Sequence, residues 1–446
     1  MTGQLDAPLR LESFTVQGAP GEPDPRAAAV VRASDHGFLE PARDGELMIS
    51  QLDRYRGDGT VLTAVYDDAP VPGTLGAGEP VSTFGDFVGS LCVAPGAVTP
   101  AQLITDVSVR TSHRRRGILR AMMTSALDRG RQQGLGLAAL TASEGGIYGR
   151  FGFGVAAWGH PITVRVRSGL HLLPHVQQLV DASGIMVTQP DPDAFPGQYA
   201  EAFAAFQART PGQIGSTEAY RRRVAGHANP WAEQGGQHSW RRLVALGADG
   251  TARGWAIAEA AWEAGKASLT VLELGAADAV TELALWQYLG ATDLVEEITF
   301  SCGPADTVLT SALANPRDAQ LGTRKDRLWL RLLDLDTAFS ARGLASDGVL
   351  GLRVHDRLGH VDGEHTVVRE SGSTRVEPGL PGTGTPGAAP VLETDAQTLA
   401  SLFLGALPLR SLLDVGRARL EVGDAAAVQA LLGSGGAPVP YNAYGF

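Results

Sequence analysis

Three consecutive arginines and a glycine, Arg114, Arg115, Arg116 and Gly117, stand between a β-branched run and an amphipathic one. Ile104 to Val109 has the branching and alternation of a strand. Thr111 and Ser112 are turn and cap residues. Beyond the arginines, Leu119, Met122, Met123, Ala126 and Leu127 fall on one helix face. The arginines therefore sit at a helix N-terminus, where the first backbone N–H groups lack intrahelical partners and the dipole favours an anion. Gly117 lets a phosphate approach the backbone closely. Positive side chains are otherwise unfavourable at a helix start, so a bound polyanion would relieve a cost, and pyrophosphate fits. Three arginines alone would read as a solvated basic turn; the strand–turn–helix context favours the anion site. Nucleic acid is disfavoured, because the net charge is -11.

Other residues with chemistry to offer are scattered. Tyr148 lies in Gly145-Gly146-Ile147-Tyr148-Gly149, where the small neighbours leave room for a ligand. Asp106 lies on the Ile104–Val109 strand. Strict alternation turns it away from Val107 and to the same side as Ser108. There it is either a base or a satisfied polar residue on a sheet face. His171 and His175 are four apart, but Pro174 interrupts a helix that would join them. His355, His360 and His365 have no carboxylate at ligand spacing. No phosphate-binding GxxxxGK[ST] loop and no G-x-S-x-G elbow is present. No metal is expected.

Arg114-x-x-Gly117-x-Leu119 resembles the acyl-CoA pyrophosphate loop of the GNAT superfamily of N-acetyltransferases. That pattern is Arg or Gln, two residues, Gly, one residue, then Gly or Ala, and Leu119 departs from its last position. The longer strings HRRRGILRAMM and ASEGGIYGRFGFG are similar to the enhanced intracellular survival (Eis) family, which carries Leu at that place. The resemblance implies an α+β chain: two tandem GNAT-type α/β domains, the second degenerate, followed by a sterol-carrier-protein-like α/β domain. It implies that the Val107, Ser108 and Val109 strand pairs with the pantetheine arm of acetyl-CoA. Arg115, Arg116, Gly117, Ile118, Leu119 and Arg120 would hold the pyrophosphate, and Ser143 and Glu144 would make a second cofactor contact. Tyr148 would be the general acid. The carboxylate of a C-terminal phenylalanine, here Phe446, would be the proton acceptor. Family members can carry an acidic residue beside that terminus, where this chain has Gly445. No tryptophan precedes Trp158, so the aromatic wall of the N-terminal pocket is missing or differently built. A homohexamer is also implied.

Acetyl transfer to an amine requires a held and polarised thioester, an amine that loses a proton and a thiolate that gains one. A backbone donor near Val107 would polarise the thioester, and Tyr148 would protonate the sulfur. Phe446 ranks above Asp106 as the base on the resemblance alone. The expected activity is acetyl-CoA-dependent transfer to a primary amine of a cationic acceptor: an aminoglycoside-like molecule, a polyamine or a lysine. The alternative is a non-catalytic acyl-CoA- or lipid-binding module using the sterol-carrier-like domain.

Positioning these residues takes a large chain. Its 446 residues fit several domains, here placed at 1–170 (catalytic), 171–320 (degenerate) and 321–446 (sterol-carrier-like, its C-terminus reaching the active site). Cys92 and Cys302 supply no disulfide framework, which points to a reducing cytoplasm. The N-terminus has no apolar signal core and no run is long enough to span a membrane. In the first domain, helix is expected from Ala27 to Ser34, then a helix–loop to Leu39. There Asp35 and Glu40 would either draw an ammonium to an acceptor pocket or be solvated loop carboxylates. Strands are expected at Val61–Tyr66 with a hairpin turn at Asp67-Asp68, at Val81–Cys92 broken by Gly85 and Gly89, and at Thr163–Arg167. In the second, Phe195–Gln207 and Ala279–Leu289 read as helices, and Trp240–Leu246, Gly254–Ala261 and Leu269–Leu274 as strands. Its Gly275-Ala276-Ala277-Asp278 turn lacks arginine, and Asp278 would cap the helix and repel pyrophosphate. In the third, Asp336 would cap a helix ending at Gly343, and Asp395 and Asp424 would cap two more. Residues 378–390 read as a Gly/Pro-rich loop.

Overall fold

The computed structural model describes residues 5–167, 169–226, 240–263, 266–382, 388–433 and 438–446. The N-terminal elements are β1 (Leu9–Thr15), α1 (Pro25–Phe38), α2 (Gly45–Asp58), β2 (Val61–Asp67), β3 (Ser82–Ala94), β4 (Ala97–Val109), α3 (Ile118–Gln132), β5 (Leu137–Leu140), α4 (Gly145–Tyr148) and β6 (Gly154–Arg165). The middle of the chain gives α5 (Pro174–Ala182), β7 (Met186–Thr188), α6 (Phe195–Arg209), α7 (Glu218–Val224), β8 (Trp240–Leu246), β9 (Ala252–Glu263), β10 (Lys266–Ala276), α8 (Ala279–Gly290), β11 (Val295–Gly303), α9 (Leu309–Ala312), β12 (Ala319–Leu321) and β13 (Lys325–Leu332). The last part gives α10 (Leu335–Arg342), β14 (Gly348–His355), β15 (Gly363–Glu370), β16 (Ser373–Pro378), β17 (Val391–Asp395), α11 (Ala396–Phe403), α12 (Leu409–Asp414), β18 (Ala418–Val422) and α13 (Ala425–Leu432).

Among the described residues, one long sheet runs β1-β2-β3-β4-β5-β13-β6-β11-β10-β9-β8-β7, with β12 added to β6. Two similar half-sheets meet at β6 and β11, which pair antiparallel from Arg165↔Glu297 to Ile162↔Phe300. Strand β13 comes from far along the chain yet lies between β5 and β6, pairing antiparallel with both. A second sheet, β16-β15-β14-β17-β18, carries the last part of the chain. Helix α3 lies on the first half-sheet through Met122, Met123, Ala126 and Leu127, all fully buried, as the apolar spacing requires.

Several local expectations give way to tertiary context. Helix α1 is one helix from Pro25 to Phe38, capped by Asp24, whose carboxylate accepts from Arg26 and Ala27. Asp67-Asp68 does not make a hairpin: β2 pairs there with β1, and residues 68–81 form a longer connection. Gly85 and Gly89 do not break β3; a Cβ at Gly89 would strike the Leu103 side chain at 2.5 Å, so glycine allows the close approach. The cap of α10 is Asp334, which accepts from the Thr337 amide at 2.9 Å, while Asp336 accepts from Val376 instead. Asp395 and Asp424 cap α11 and α13 as expected. Of the loop expected at 378–390, residues 383–387 lie outside the described residues.

Candidate active site

Strands β4 and β5 run parallel only from Gln102↔Ala138 to Ile104↔Leu140. Beyond Leu140 strand β5 ends while β4 continues to Val109, so one backbone edge of residues 105–109 has no strand partner. The other edge pairs with β3, but the register shifts between Thr83↔Ser108 and Gly85↔Thr105. That shift is a β-bulge around Asp106, whose φ of 51° is unusual for a side-chain-bearing residue. The bulge breaks the alternation expected from the sequence. Asp106 and Val107 both line the cavity, while Ser108 shares a hydrogen bond with the Thr83 hydroxyl at 2.7 Å. Val109 pairs with Ser82.

Helix α3 begins just past this edge. Gly117 is its N-cap, at φ 77°, and no side chain caps the helix. The space a Cβ would occupy at Gly117 is open to 4 Å. Arg115 also has a positive φ, 65°. Arg115, Arg116 and Arg120 are exposed, Leu119 is half-buried, and the Ile118 side chain turns into the core at 2% exposure. His113 bonds Asp67 at 3.2 Å and ties the turn to the end of β2. The result is a set of uncapped amides beside the exposed guanidinium groups of Arg115, Arg116 and Arg120, a geometry suited to a diphosphate.

The opposite wall is built by the chain terminus. The tail from Pro438 runs between the two half-sheets rather than fraying. Tyr441 donates from its amide to Pro211 at 2.9 Å and from its hydroxyl to Cys302 at 2.5 Å. Asn442, fully buried, donates to Arg327 and Tyr444. Tyr444, 1% exposed, stacks on Tyr220 with ring centroids 3.5 Å apart and donates to Glu273 at 3.0 Å. Arg223 completes that group with an ion pair to Glu273 at 2.7 Å. Gly445 is held by Tyr220, whose hydroxyl accepts from its amide at 2.9 Å. Phe446 then lies edge-on to Phe87, and its carbonyl oxygen accepts from the Thr141 hydroxyl at 2.8 Å.

These walls enclose a cavity of about 430 Å³. It brings Val107, Ser143, Tyr148 and Phe446 together with Asp106. Glu144 is exposed at the start of α4, and the arginine loop lies outside the cavity. Tyr148 is 5% exposed, and its hydroxyl makes no hydrogen bond among the described residues. Burial, then the charge of Glu144, raises its pKa, so the phenol keeps its proton near neutral pH. The Asp106 carboxylate accepts from Tyr55 at 2.7 Å. Burial and the Asp106 charge hold the Tyr55 phenol well above its ordinary pKa, so it remains a donor.

Of the two acidic residues placed near an acceptor pocket, only Glu40 lines the cavity. Asp35 is 1% exposed and ion-paired to Arg43, because α1 continues through it and turns it inward. The aromatic wall is Phe38, Tyr148, Tyr220 and Phe446, without tryptophan. Thr141, Arg43, Arg54, Tyr220 and Arg223 went unread in the sequence. No local pattern marks them; each gains its role from an element that meets the cavity from elsewhere in the chain.

The corresponding turn of the second half-sheet is closed. Asp278 accepts from the Thr281 amide at 2.8 Å and from Arg253 at 2.6 Å. Desolvation opposes its ionisation, but these bonds outweigh it and hold its pKa below the usual range. The amides that a diphosphate would need are thus capped by a carboxylate.

Comparison with known proteins follows the same division. Acetyltransferase (GNAT) domain models match residues 61–156 and 218–334, and a sterol carrier protein domain model matches residues 335–440. An uncharacterized N-acetyltransferase of Streptomyces griseus is 31% identical over 429 residues, covering 92% of this chain and 96% of that protein. The N-acetyltransferase Eis of Mycobacterium bovis is 29% identical over 339 residues, 74% of this chain and 77% of that one. The crystal structure of Eis1 from Mycobacterium abscessus superposes with a TM-score of 0.73 at 22% identity, over 98% of this chain and 100% of that one.

Proposed function

We propose that this protein, which belongs to the enhanced intracellular survival (Eis) family of GNAT-superfamily N-acetyltransferases, transfers the acetyl group of acetyl-CoA to a primary amine of a cationic acceptor. Aminoglycoside-like molecules, polyamines and lysine are the candidate acceptors. Its architecture is α+β: two GNAT domains followed by a sterol-carrier-like domain. The observation that carries the reading is one cavity lined at once by Val107, Ser143, Tyr148 and Phe446.

In the reaction the amine nitrogen attacks the thioester carbonyl carbon, a C–N bond forms and the C–S bond breaks. The backbone edge at Val107 to Val109 aligns the donor, and an amide there polarises the carbonyl. Arg115, Arg116, Gly117, Ile118, Leu119 and Arg120 take the diphosphate, through amides and guanidinium groups, and Ser143 and Glu144 add a second contact. The Phe446 carboxylate accepts the amine proton, and Tyr148 gives its proton to the departing sulfur and regains one from solvent. Thr141 supports the first role by bonding the Phe446 carbonyl oxygen. We rank Phe446 above Asp106 on the family resemblance.

We take the working units as 1–170, 171–320 and 321–446. The last contributes β13 to the catalytic half-sheet and its terminus to the cavity. No helix among the described residues is long and apolar enough to cross a membrane, and with two well-separated cysteines we place the protein in the cytoplasm, as a homohexamer by its family. The test is thiol release from acetyl-CoA across amines. Amine-dependent release supports the reading, and binding of acetyl-CoA without release from any amine overturns it.

A further inference from the structure

Side chains grip the backbone of the tail much as a receptor grips a bound peptide. Arg327 donates to the Asn442 carbonyl at 3.3 Å and to the Ala443 carbonyl at 2.9 Å. The Ala443 amide donates to the Gln213 side chain at 2.9 Å. The Asn442 side chain bonds both backbone groups of Tyr444. Tyr444 anchors this run: its ring stacks on Tyr220 at 3.5 Å and on Phe203 at 5.4 Å, and its hydroxyl donates to Glu273 at 3.0 Å. Past Tyr444 the side-chain anchorage ends. Gly445 has no side chain to pack, and Phe446 is half-buried, meeting Phe87 edge-on with ring centroids 6.4 Å apart. The residue just before the terminal carboxylate is therefore of the type with the most backbone freedom.

We propose that Tyr220 is a positioning residue: its hydroxyl fixes the torsions of Gly445 and so sets where the Phe446 carboxylate stands. This rests on the reading of Phe446 as the base and adds the group that aims it. The hydroxyl accepts from the Gly445 amide at 2.9 Å and donates to the Gly445 carbonyl at 3.1 Å. Those two groups belong to the peptide units on either side of the Gly445 Cα, so one oxygen ties both planes together. Donation needs the phenol protonated, and burial raises its pKa against the pull of Arg223. The Tyr220 ring is itself held. It stacks on Tyr444, and the Arg223 guanidinium lies 5.2 Å from its centroid while paired with Glu273 at 2.7 Å. Tyr220 and Arg223 come from α7 and Glu273 from β10. The second half-sheet, whose own helix start is capped by Asp278, thus orients the base used in the first. Thr141 holds the Phe446 carbonyl oxygen from the other side at 2.8 Å. Placement matters at this scale, because a reacting group displaced by about 1 Å can lose about 10²-fold in rate.

Tyr220→Phe removes the hydroxyl and keeps the ring and its stack on Tyr444. Thiol release from acetyl-CoA, with the amine that the wild-type chain turns over fastest, gives kcat and KM. The expected result is a kcat lower by about tenfold or more, with KM for acetyl-CoA near wild type. A second protein, lacking only Phe446, separates positioning from general support. If Tyr220 acts through the terminus, Tyr220→Phe should change the residual turnover of the shortened chain by less than about twofold, a coupling that the double-mutant cycle reads directly. Where the substitution also lowers the unfolding midpoint the cycle still decides, since a loss of folded protein appears in both backgrounds. Equal losses in the full and shortened chains would overturn the inference and leave Phe446 as the base, as would a wild-type kcat in Tyr220→Phe. Full turnover by the chain lacking Phe446 would overturn the base reading and this inference with it. Silence of the wild-type chain with every amine would overturn the transferase itself.

Discussion

Tyr148 shows how little of a catalytic assignment rests on residue type. A tyrosine is more often a core residue with a bonded hydroxyl, and this one is 5% exposed. What marks it is an unbonded phenol in the same cavity as the Phe446 terminus, kept protonated by burial and by Glu144. Tyr148→Phe removes the proton and almost no volume. It should lower kcat by about 10²-fold or more while leaving CoA affinity near wild type; unchanged turnover would take the acid role away. Tyr148 was singled out by its glycine-rich setting and by resemblance, Phe446 by family resemblance alone, and both line this cavity. Arg223 was not, because nothing local sets it apart from its neighbours Arg221 and Arg222. Only the fold shows that Arg223 reaches Glu273 and the tail. Asp35 failed in the opposite direction: it looked available in a loop and is instead buried against Arg43.

At the level of elements, one strand–turn–helix unit occurs twice with opposite electrostatics. Helix α3 opens with uncapped amides among arginines, and α8 opens with Asp278 bonded to its first turn. Replacing Arg115 and Arg116 together with alanine should weaken CoA binding by about tenfold or more and flatten its salt dependence. Binding that keeps its affinity and salt slope would move the diphosphate elsewhere. Helix α8 has its own half-buried acid: desolvation pushes Glu282 from 4.5 up to about 7. The folded state then holds a proton that the unfolded state releases, so stability falls as pH rises from about 4.5 through about 7. Glu282→Gln cannot ionise and should be more stable than wild type at pH 8, by on the order of 1–2 kcal/mol, with little difference at pH 4.5. Equal midpoints at pH 8 would contradict the burial argument. This contrast between the two turns was legible, since a capping aspartate and an arginine run are both local signals. The bulge at Asp106 was not, because an extra residue in a ladder is set by the partner strand.

Across the whole molecule, the site depends on parts far apart in sequence. Strand β13 lies between β5 and β6, and the tail threads between the half-sheets to bring Phe446 beside Thr141. Neither pairing leaves a trace in composition or periodicity; the terminus was placed only by family resemblance. Because Asn442 and Tyr444 are locked inside, residues added after Phe446 must leave through the cavity itself. A peptide fused there should nearly abolish turnover without lowering the unfolding midpoint, and a fully active fusion would transfer the base to Asp106 or to water. The central claim is that the donor's diphosphate sits at the start of α3, with its sulfur beside Tyr148. A crystal structure with bound CoA tests it most directly. The expected density places the diphosphate on the amides of residues 117–120 and the thiol within hydrogen-bond reach of the Tyr148 hydroxyl; a nucleotide lodged elsewhere, with those amides open to solvent, would contradict the account.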